Sequence, residues 1–175
     1  MKRLATITDK DVTGSDALSN AAPSTSVNAV LFDQNGHVAL CYFGKFNFHT
    51  IIGGGVEASE DMITAVKREV LEEAGCDCEI VCEIGYTFEN RAEHDNTLER
   101  YYYIARVVGE KGELQLTEKE MSQKVAVCWY PLEQALQIIK ENNSLIYQQK
   151  FIQKRDIIVL TEVIGNHAHL IGGAK

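Results

Sequence analysis

The chain has 175 residues, of which 45% are hydrophobic and 24% charged, and this size and composition suit one globular domain, residues 1–175, with a single buried core. Its formal net charge of −8 excludes a general affinity for nucleic acid or for anionic membranes, because an acidic surface repels both. A polyanionic substrate would therefore need help from metal cations.

Residues 1–24 are mixed and polar, and they predict a short strand or arm followed by a loop. The segment contains neither an apolar run long enough to span a membrane nor a basic leader followed by an apolar core. We therefore expect a cytoplasmic chain that has neither membranes nor nucleic acid among its partners.

Two apolar segments, residues 26–33 and 37–43, are joined through Asn35 and Gly36. An Asn-Gly pair between apolar runs is a strong signal for two antiparallel strands that pair across a tight turn. The sequence therefore predicts a β-hairpin as the first regular unit after the arm.

A glycine-rich turn at residues 53–55 is predicted to lead into a helix over residues 60–74. Apolar residues recur in this helix at three- and four-residue intervals, which predicts a buried stripe made of Ile63, Val66, Val70 and Ala74. Gly75 follows the stripe, at a position where a left-handed cap is easiest for glycine. The sequence thus predicts one amphipathic helix that ends at Gly75.

The rest of the chain alternates between strand and helix patterns. Strands are predicted over residues 76–89, 100–108 and 125–130, with a polar stretch at 90–98 between the first two. Helices are predicted over residues 132–141 and 144–163, and a tail continues the second helix to residue 175. Because strands and helices mix without strict alternation, we expect an α/β (α+β) domain with a mixed sheet covered by helices on both faces, rather than a Rossmann order.

The chain contains 5 cysteines, and we expect them to be reduced because no secretory signal precedes them. Cys76, Cys78 and Cys82 are close enough in sequence to suggest a thiolate metal site. Their period of two, however, places all three on one face of a strand, where small buried side chains are the simpler interpretation.

The predicted helix after the glycines carries three glutamates, Glu69, Glu72 and Glu73, at positions i, i+3 and i+4. Their carboxylates share one face, and their mutual repulsion destabilises the helix unless a cation bridges them. Hard carboxylate oxygens suit Mg²⁺ or Mn²⁺, ions that commonly recruit substrate phosphates. When Glu72 and Glu73 are considered alone, a solvated acidic helix face is the simpler alternative.

The glutamates belong to a longer pattern, in which Gly54, Glu60, Arg68 and Gly75 occupy fixed positions before and after them. Written as G-x5-E-x7-R-E-U-x-E-E-x-G-U, with U a bulky aliphatic residue, the pattern over residues 54–76 resembles the Nudix box. The chain is therefore similar to the Nudix (MutT-type) hydrolases. This resemblance implies an α/β/α sandwich in which the box helix packs on a mixed sheet.

The resemblance also implies roles for the residues of the box. It assigns divalent-metal ligation, with Mg²⁺ or Mn²⁺, to the three glutamates and to the Gly54 carbonyl, and a base role to Glu69. Glu60 and Arg68 would form a structural salt bridge, with Arg68 also orienting Glu69. A carboxylate outside the box often completes the metal shell or acts as base in this family, and the candidates here are Glu118 and Glu120.

Two positions depart from the pattern of the family. Cys76 replaces the final aliphatic residue, and Ile52 stands where many members carry a proline before the paired glycines. Neither position touches a carboxylate, so the fit of the substrate is put in doubt rather than catalysis.

Several residues outside the box are further candidates for substrate contacts. The cations considered for phosphate binding are Lys45, Arg91 and Arg100. Tyr101, Tyr102 and Tyr103 alternate faces on a strand, so that one of them is placed to stack on a base, although packing in the core or at its rim is the simpler interpretation.

We expect the chain to be a divalent-metal-dependent hydrolase that cleaves the phosphoanhydride bond of a nucleoside diphosphate linked to another moiety. A nucleotide-binding module without catalysis is the alternative, and a diphosphate isomerase, which would need a Cys and Glu pair, is a third possibility. Residues 90–93 lack the proline and tyrosine typical of ADP-ribose and dinucleoside polyphosphate hydrolases, which disfavours both subclasses. Homodimers are frequent in similar proteins, and the oligomeric state stays open.

Overall fold

The computed structural model of the chain describes residues 1–112 and 122–170. Seven strands are found in these residues: β1 (Arg3–Thr8), β2 (Pro23–Phe32), β3 (His37–Phe43), β4 (Phe48–Gly55), β5 (Asp77–Arg91), β6 (Asn96–Val108) and β7 (Val125–Pro131). They form one mixed sheet in the order β1-β5-β6-β2-β4-β3-β7. The pairs β1–β5 and β2–β6 are parallel, and the other neighbours are antiparallel.

The helices lie on both faces of this sheet. They are α1 (Asp9–Val12), α2 (Met62–Ala74), α3 (Leu132–Glu141) and α4 (Tyr147–Asn166), with short 3₁₀ helices at Ala92–His94 and Ala168–Leu170. One apolar cluster joins α2 to the sheet, and a second cluster joins α3 and α4 to the opposite face. The predicted mixed sheet with helices on both faces is confirmed. In the described residues, no helix is long and apolar enough to cross a membrane.

The predicted hairpin is confirmed in its strands, its tight turn and its antiparallel pairing, but the pairing is limited to the ends of the strands next to the turn. Gly36 donates its N–H to the Asp33 carbonyl at 3.1 Å, as expected for a tight turn. The strands β2 and β3, however, pair only at Phe32 and Val38. The reason is that β4 lies between them in the sheet and pairs with both.

The glycine-rich turn predicted at residues 53–55 is wrong, because these glycines end the strand β4. Gly53 and Gly54 pair with Asn28 and Val27 of β2. Gly53 has φ of +139°, and a Cβ built on it would lie 2.2 Å from the Val27 carbonyl oxygen, so the close approach of the two strands requires glycine. The turn falls instead at residues 56–61, directly before α2.

The helix α2 has clear physical boundaries. Asp61 is its N-cap and accepts the N–H groups of Ile63 and Thr64, so the helix begins at Met62 rather than at Glu60. Gly75 adopts the predicted left-handed conformation, with φ of 64°, and its N–H donates to the Leu71 carbonyl. These caps fix which side chains of α2 point away from the sheet.

The predicted apolar stripe of α2 is correct at three of its positions. Val66, Val70 and Ala74 are buried, and Ala65 joins them. Ile63 lies in the first turn and is 39% exposed, so its predicted burial is wrong. The helix therefore packs on the sheet through its second and later turns.

The three cysteines of β5 and its approach do not share one face as predicted. Cys76 and Cys78 lie in the cluster beneath α2, whereas Cys82 packs against the cluster beneath α3 and α4. A register shift between Ile80 and Cys82 inserts an extra residue into β5, and such a bulge reverses the alternation of faces. Burial raises the pKa of the Cys78 thiol to about 11, which disfavours the thiolate that a metal site needs.

The polar stretch predicted at residues 90–98 is mostly strand, because its polar groups bond the N-terminal arm. Asn90 accepts the Ser19 N–H at 2.8 Å, and the Thr97 hydroxyl donates to the Ala21 carbonyl at 2.9 Å. The Ala92 N–H donates to the Asp9 carboxylate at 3.0 Å. These hydrogen bonds hold the arm against the ends of β5 and β6. The strand β1 pairs with β5 and so adds one more strand to the sheet.

Candidate active site

The acidic face of α2 meets the sheet at the end of β4. Glu69 is buried, and its carboxylate lies so close to Gly54 that a Cβ on this glycine would be 2.4 Å from the Glu69 Oε1. The Glu73 Oε2 accepts the Gly53 N–H at 2.8 Å and the Cys41 thiol at 3.4 Å. Two of the three predicted glutamates are therefore held against the paired glycines.

Arg68 ties the loop before α2 to the helix. Its Nε and Nη2 donate to the two carboxylate oxygens of Glu60, both at 3.0 Å, and Nη2 also donates to the Gly55 carbonyl at 2.9 Å. The predicted ion pair between Glu60 and Arg68 is thus present. The hydrogen bonds between the two residues lower the pKa of Glu60 and raise that of Arg68, so both stay charged at neutral pH.

The same guanidinium bridges the other two carboxylates. Arg68 Nη1 donates to Glu69 Oε1 at 2.8 Å and to Glu72 Oε2 at 3.2 Å, and the Glu72 side chain is 40% exposed. Glu60, Glu69, Glu72 and Glu73 outnumber Arg68 as charges on this surface. The excess negative charge makes the surface receptive to a cation.

The carboxylate oxygens of the three glutamates are chemically suited to a hard divalent cation, but they are not assembled around a common point. Among the described residues, no three His, Cys, Asp or Glu side chains are grouped as a metal site. Glu69 and Glu72 turn toward Arg68, whereas Glu73 turns toward Gly53. Carboxylate oxygens are nevertheless the ligands that Mg²⁺ and Mn²⁺ prefer, and two of these carboxylates already share one positive partner.

A cavity of about 380 Å³ opens beside the paired glycines. One of its walls is formed by residues 53–55 and Glu73. Aromatic side chains from β3, β4 and their connection form an apolar part of the wall, namely Phe43, Phe46 and Phe48. Two arginines, Arg100 of β6 and Arg155 of α4, line it as well. The cavity therefore offers apolar, cationic and acidic surfaces to one ligand.

The two cavity arginines belong to a buried ion cluster centred on Glu89. This fully buried carboxylate lies 3.0 Å from Arg100 Nε and 3.5 Å from Arg155 Nη1, and it accepts the Arg91 Nε at 2.9 Å. Burial lowers the pKa of Arg100 to about 10, so its guanidinium stays charged at neutral pH. Burial would raise the pKa of Glu89, but the surrounding guanidinium groups outweigh it and lower the pKa.

The cluster contains two of the candidate cations and adds residues that the sequence did not indicate. Arg91 and Arg100 were considered for phosphate binding; both are buried because they compensate Glu89, and of the two only Arg100 belongs to the described lining of the cavity. Arg155 and Glu89 were missed, since they come from α4 and β5 and no local pattern links them. Lys45 is exposed, with its ammonium 5.7 Å from the centre of the Phe46 ring.

The three tyrosine candidates do not belong to the described lining of the cavity. Tyr101 stacks on Tyr86 with 5.4 Å between the ring centres, and the Tyr103 hydroxyl contacts Met62. Tyr102 is fully buried with its hydroxyl 3.1 Å from that of Thr87. These tyrosines serve packing, the simpler of the two interpretations. Glu118 and Glu120 lie outside the described residues, so their role stays a prediction.

We expect a different outcome for each of the three glycines at the end of β4 when it is replaced by alanine. Gly53→Ala places a Cβ against the backbone of β2 and is expected to lower the free energy of unfolding by about 2 kcal/mol or more. The three atoms nearest to a Cβ at Gly54 all belong to the Glu69 carboxylate group, so Gly54→Ala displaces a side chain rather than backbone, and we expect a smaller loss of stability than in Gly53→Ala but lower activity. Gly55→Ala meets no atom within 4 Å and is the matched control. Urea unfolding and steady-state kinetics measure the two effects, and equal behaviour of Gly54→Ala and Gly55→Ala would contradict this geometry.

Comparison with known proteins gives one family and one fold. The sequence model of the NUDIX domain matches residues 22–150. A NUDIX hydrolase from Nitrosomonas europaea superposes with a TM-score of 0.58 at 20% identity, covering 77% of this chain and 89% of its own. A UDP-X diphosphatase superposes with a TM-score of 0.57 at 14% identity, over 85% of this chain and 66% of its own.

An ADP-ribose pyrophosphatase from Streptococcus suis superposes with a TM-score of 0.54 at 17% identity, covering 83% of this chain and 96% of its own. The comparison with curated proteins gives no match. At these identities the solved structures share the fold with this chain, while the family match rests on the sequence itself.

Proposed function

The chain belongs to the family of Nudix hydrolases, and from this premise we propose that it hydrolyses the phosphoanhydride bond of a nucleoside diphosphate linked to another moiety, with a divalent cation. The observation that carries the proposal is the position of the box glutamates, which meet the end of β4 where residues 53–55 and Glu73 line a cavity. We further propose that the whole chain is one such domain, because β1 and α4 are built into the same sheet and core.

In this proposal Glu69 and Glu72 hold the cation, with the Gly54 carbonyl and Glu73 as further oxygen donors. A bound Mg²⁺ or Mn²⁺ neutralises charge on the departing phosphate and lowers the pKa of a bound water toward a usable nucleophile. Arg68 positions Glu69 through its bond to Glu60 and keeps the preceding loop against the helix. Glu73 orients the Gly53 N–H at the cavity wall.

The cavity supports a nucleotide-type substrate. A nucleobase is a planar, largely apolar ring system, and Phe43, Phe46 and Phe48 offer it an apolar wall. The acidic edge of the cavity near Glu73 repels a free diphosphate, so the cation is needed for the diphosphate to bind beside this edge. The likeness to a UDP-X diphosphatase and to an ADP-ribose pyrophosphatase agrees with a substrate built from a nucleotide joined to a second group.

The alternatives receive less support from the same geometry. A pure binding module has no need of three glutamates around one arginine beside a fourth glutamate that lines its ligand cavity. A diphosphate isomerase would need a Cys and Glu pair, and Cys41 and Glu73 are in contact at 3.4 Å. Cys41, however, is fully buried in the core beneath α2 and does not belong to the described lining of the cavity, so its thiol does not reach a substrate there.

The proposed function is tested by a panel of nucleotide diphosphates assayed for released phosphate or nucleotide. We expect turnover of at least one NDP-sugar or related compound with Mg²⁺ or Mn²⁺, no turnover in EDTA, and recovery when the metal is restored. The same ligands should raise the midpoint of thermal unfolding more with Mg²⁺ than without it. Metal-dependent binding with no hydrolysis of any compound would favour the binding module instead.

A further inference from the structure

We propose that Arg100 and Arg155 form an anion subsite, so that the preferred substrates carry a further phosphate or carboxylate beside the diphosphate that is cleaved. The inference deepens the proposed function and rests on it for the identity of the scissile bond. The subsite itself rests on the charge, burial and hydrogen bonding of the two arginines in the cavity.

The cluster beneath the cavity has an excess of positive charge. Its acidic members are Glu89 and Asp156, and its basic members are Arg91, Arg100 and Arg155. Asp156 is already engaged, because it accepts the Thr50 hydroxyl at 2.7 Å, the Ile51 N–H at 3.1 Å and the Arg155 Nε at 3.0 Å. One guanidinium charge is therefore left without a matching carboxylate within the cluster.

The two cavity arginines are not fully hydrogen-bonded by the protein. Arg155 Nη1 and Arg100 Nε meet no hydrogen-bond geometry in the part of the chain that the structure describes, and both are instead ion-paired with the single oxygen Glu89 Oε1, at 3.5 Å and 3.0 Å. Arg155 is 3% exposed and Arg100 is 9% exposed, so bulk water does not readily satisfy these groups. An uncompensated buried charge is costly, and an anionic ligand in the cavity would relieve that cost.

The position of Arg100 separates this subsite from the acidic face of α2. Gly55 of β4 pairs with Ser26 of β2, and Ser26 pairs with Arg100 of β6. Two strand spacings thus place the Arg100 and Gly55 backbones about 10 Å apart, which is on the order of the length of a nucleoside. A diphosphate bound at Gly54 and Glu69 would leave the arginines to a different group of the same substrate.

The substrate class that follows is a nucleoside diphosphate derivative with an anionic group on either side of the diphosphate. A carboxylate on the sugar of an NDP-sugar and a phosphate on the nucleoside ribose present the same chemistry to a guanidinium. Matched compounds distinguish the two sources. The pairs are UDP-glucuronate with UDP-glucose, and ADP-ribose 2′-phosphate with ADP-ribose.

The experiment uses analogues of both pairs in which a methylene group replaces the bridging oxygen of the diphosphate, and it measures their dissociation constants by calorimetry with Mg²⁺, where no hydrolysis occurs. We expect the wild-type chain to bind the more anionic member of one pair about tenfold more tightly or better, as one charge-assisted hydrogen-bonded contact predicts. Gln148 is exposed at the cavity wall on α4, so Gln148→Glu adds a negative charge there without disturbing the core. This variant should reduce the selectivity about threefold or more.

Gln134→Glu is the matched control, because it makes the same change on the exposed surface of α3, away from the cavity lining. Arg155→Met should abolish the selectivity, provided that circular dichroism shows a folded protein; if it does not fold, Gln148→Glu decides. Equal affinities within both pairs for the wild type, or equal selectivity in the two glutamate variants, would overturn the subsite. Because binding is measured without turnover, the test of the subsite can be interpreted even if the chain hydrolyses none of the compounds.

Discussion

Replacing Glu72 by glutamine is expected to lower kcat on the best substrate by about 100-fold or more while the protein stays folded. Glu72 bonds the same Arg68 nitrogen as Glu69, and its side chain is 40% exposed, against 11% for those of Glu60 and Glu69. A cation that takes the place of this guanidinium contact would lose a charged ligand in the variant. The uncharged glutamine side chain is isosteric with that of glutamate, so the shape of the site is retained.

The stability of Glu72→Gln should remain within about 0.5 kcal/mol of the wild type, since the site is exposed and no core contact is removed. Glu133→Gln is the control, because Glu133 is an exposed helical glutamate on α3 outside the cavity lining. Steady-state kinetics over a titration of Mg²⁺ separate weaker metal binding from slower chemistry. A Glu72→Gln protein that keeps the kcat of Glu133→Gln would remove Glu72 from the proposed metal site.

Much of the candidate site could be predicted from the sequence, because it depends on residues that are close together in the chain. Arg68 and the three box glutamates sit on one capped helix, and the Gly75 cap and the Glu60–Arg68 ion pair follow from residues close together in the chain. The mixed sheet with helices on both faces also followed from the order of periodic segments. Each of these predictions depends on interactions within about one helix or one strand.

The errors share the opposite origin, in that they depend on pairings between distant segments. The hairpin pairs only next to its turn because β4 pairs with both β2 and β3, which no turn residue signals. The cysteine prediction failed at a bulge in β5, where one extra residue reverses the faces. The burial of Arg91 and Arg100 depends on Glu89 and on Arg155 of α4, so it appears only when the chain is folded.

Replacing Glu89 by glutamine is expected to lower the free energy of unfolding at neutral pH by about 3–5 kcal/mol. Glu89 is fully buried and compensates three guanidinium groups, so the variant leaves Arg91, Arg100 and Arg155 with Asp156 alone. Glu83→Gln is the matched control, because Glu83 lies on the same strand β5 and is exposed. Urea unfolding should place Glu83→Gln close to the wild type, and a similar value for Glu89→Gln would show that the cluster does not depend on its charge.

The pH dependence of this difference identifies its electrostatic origin. The surrounding arginines lower the pKa of Glu89 below its ordinary value of 4.5, so its contribution to stability is complete above that value and is lost as the pH falls through the lowered pKa. The gap between wild type and Glu89→Gln should therefore be widest at neutral pH and shrink in acid. A gap that stays constant from neutral pH into strong acid would instead indicate a loss of packing, since the shape of a side chain does not titrate.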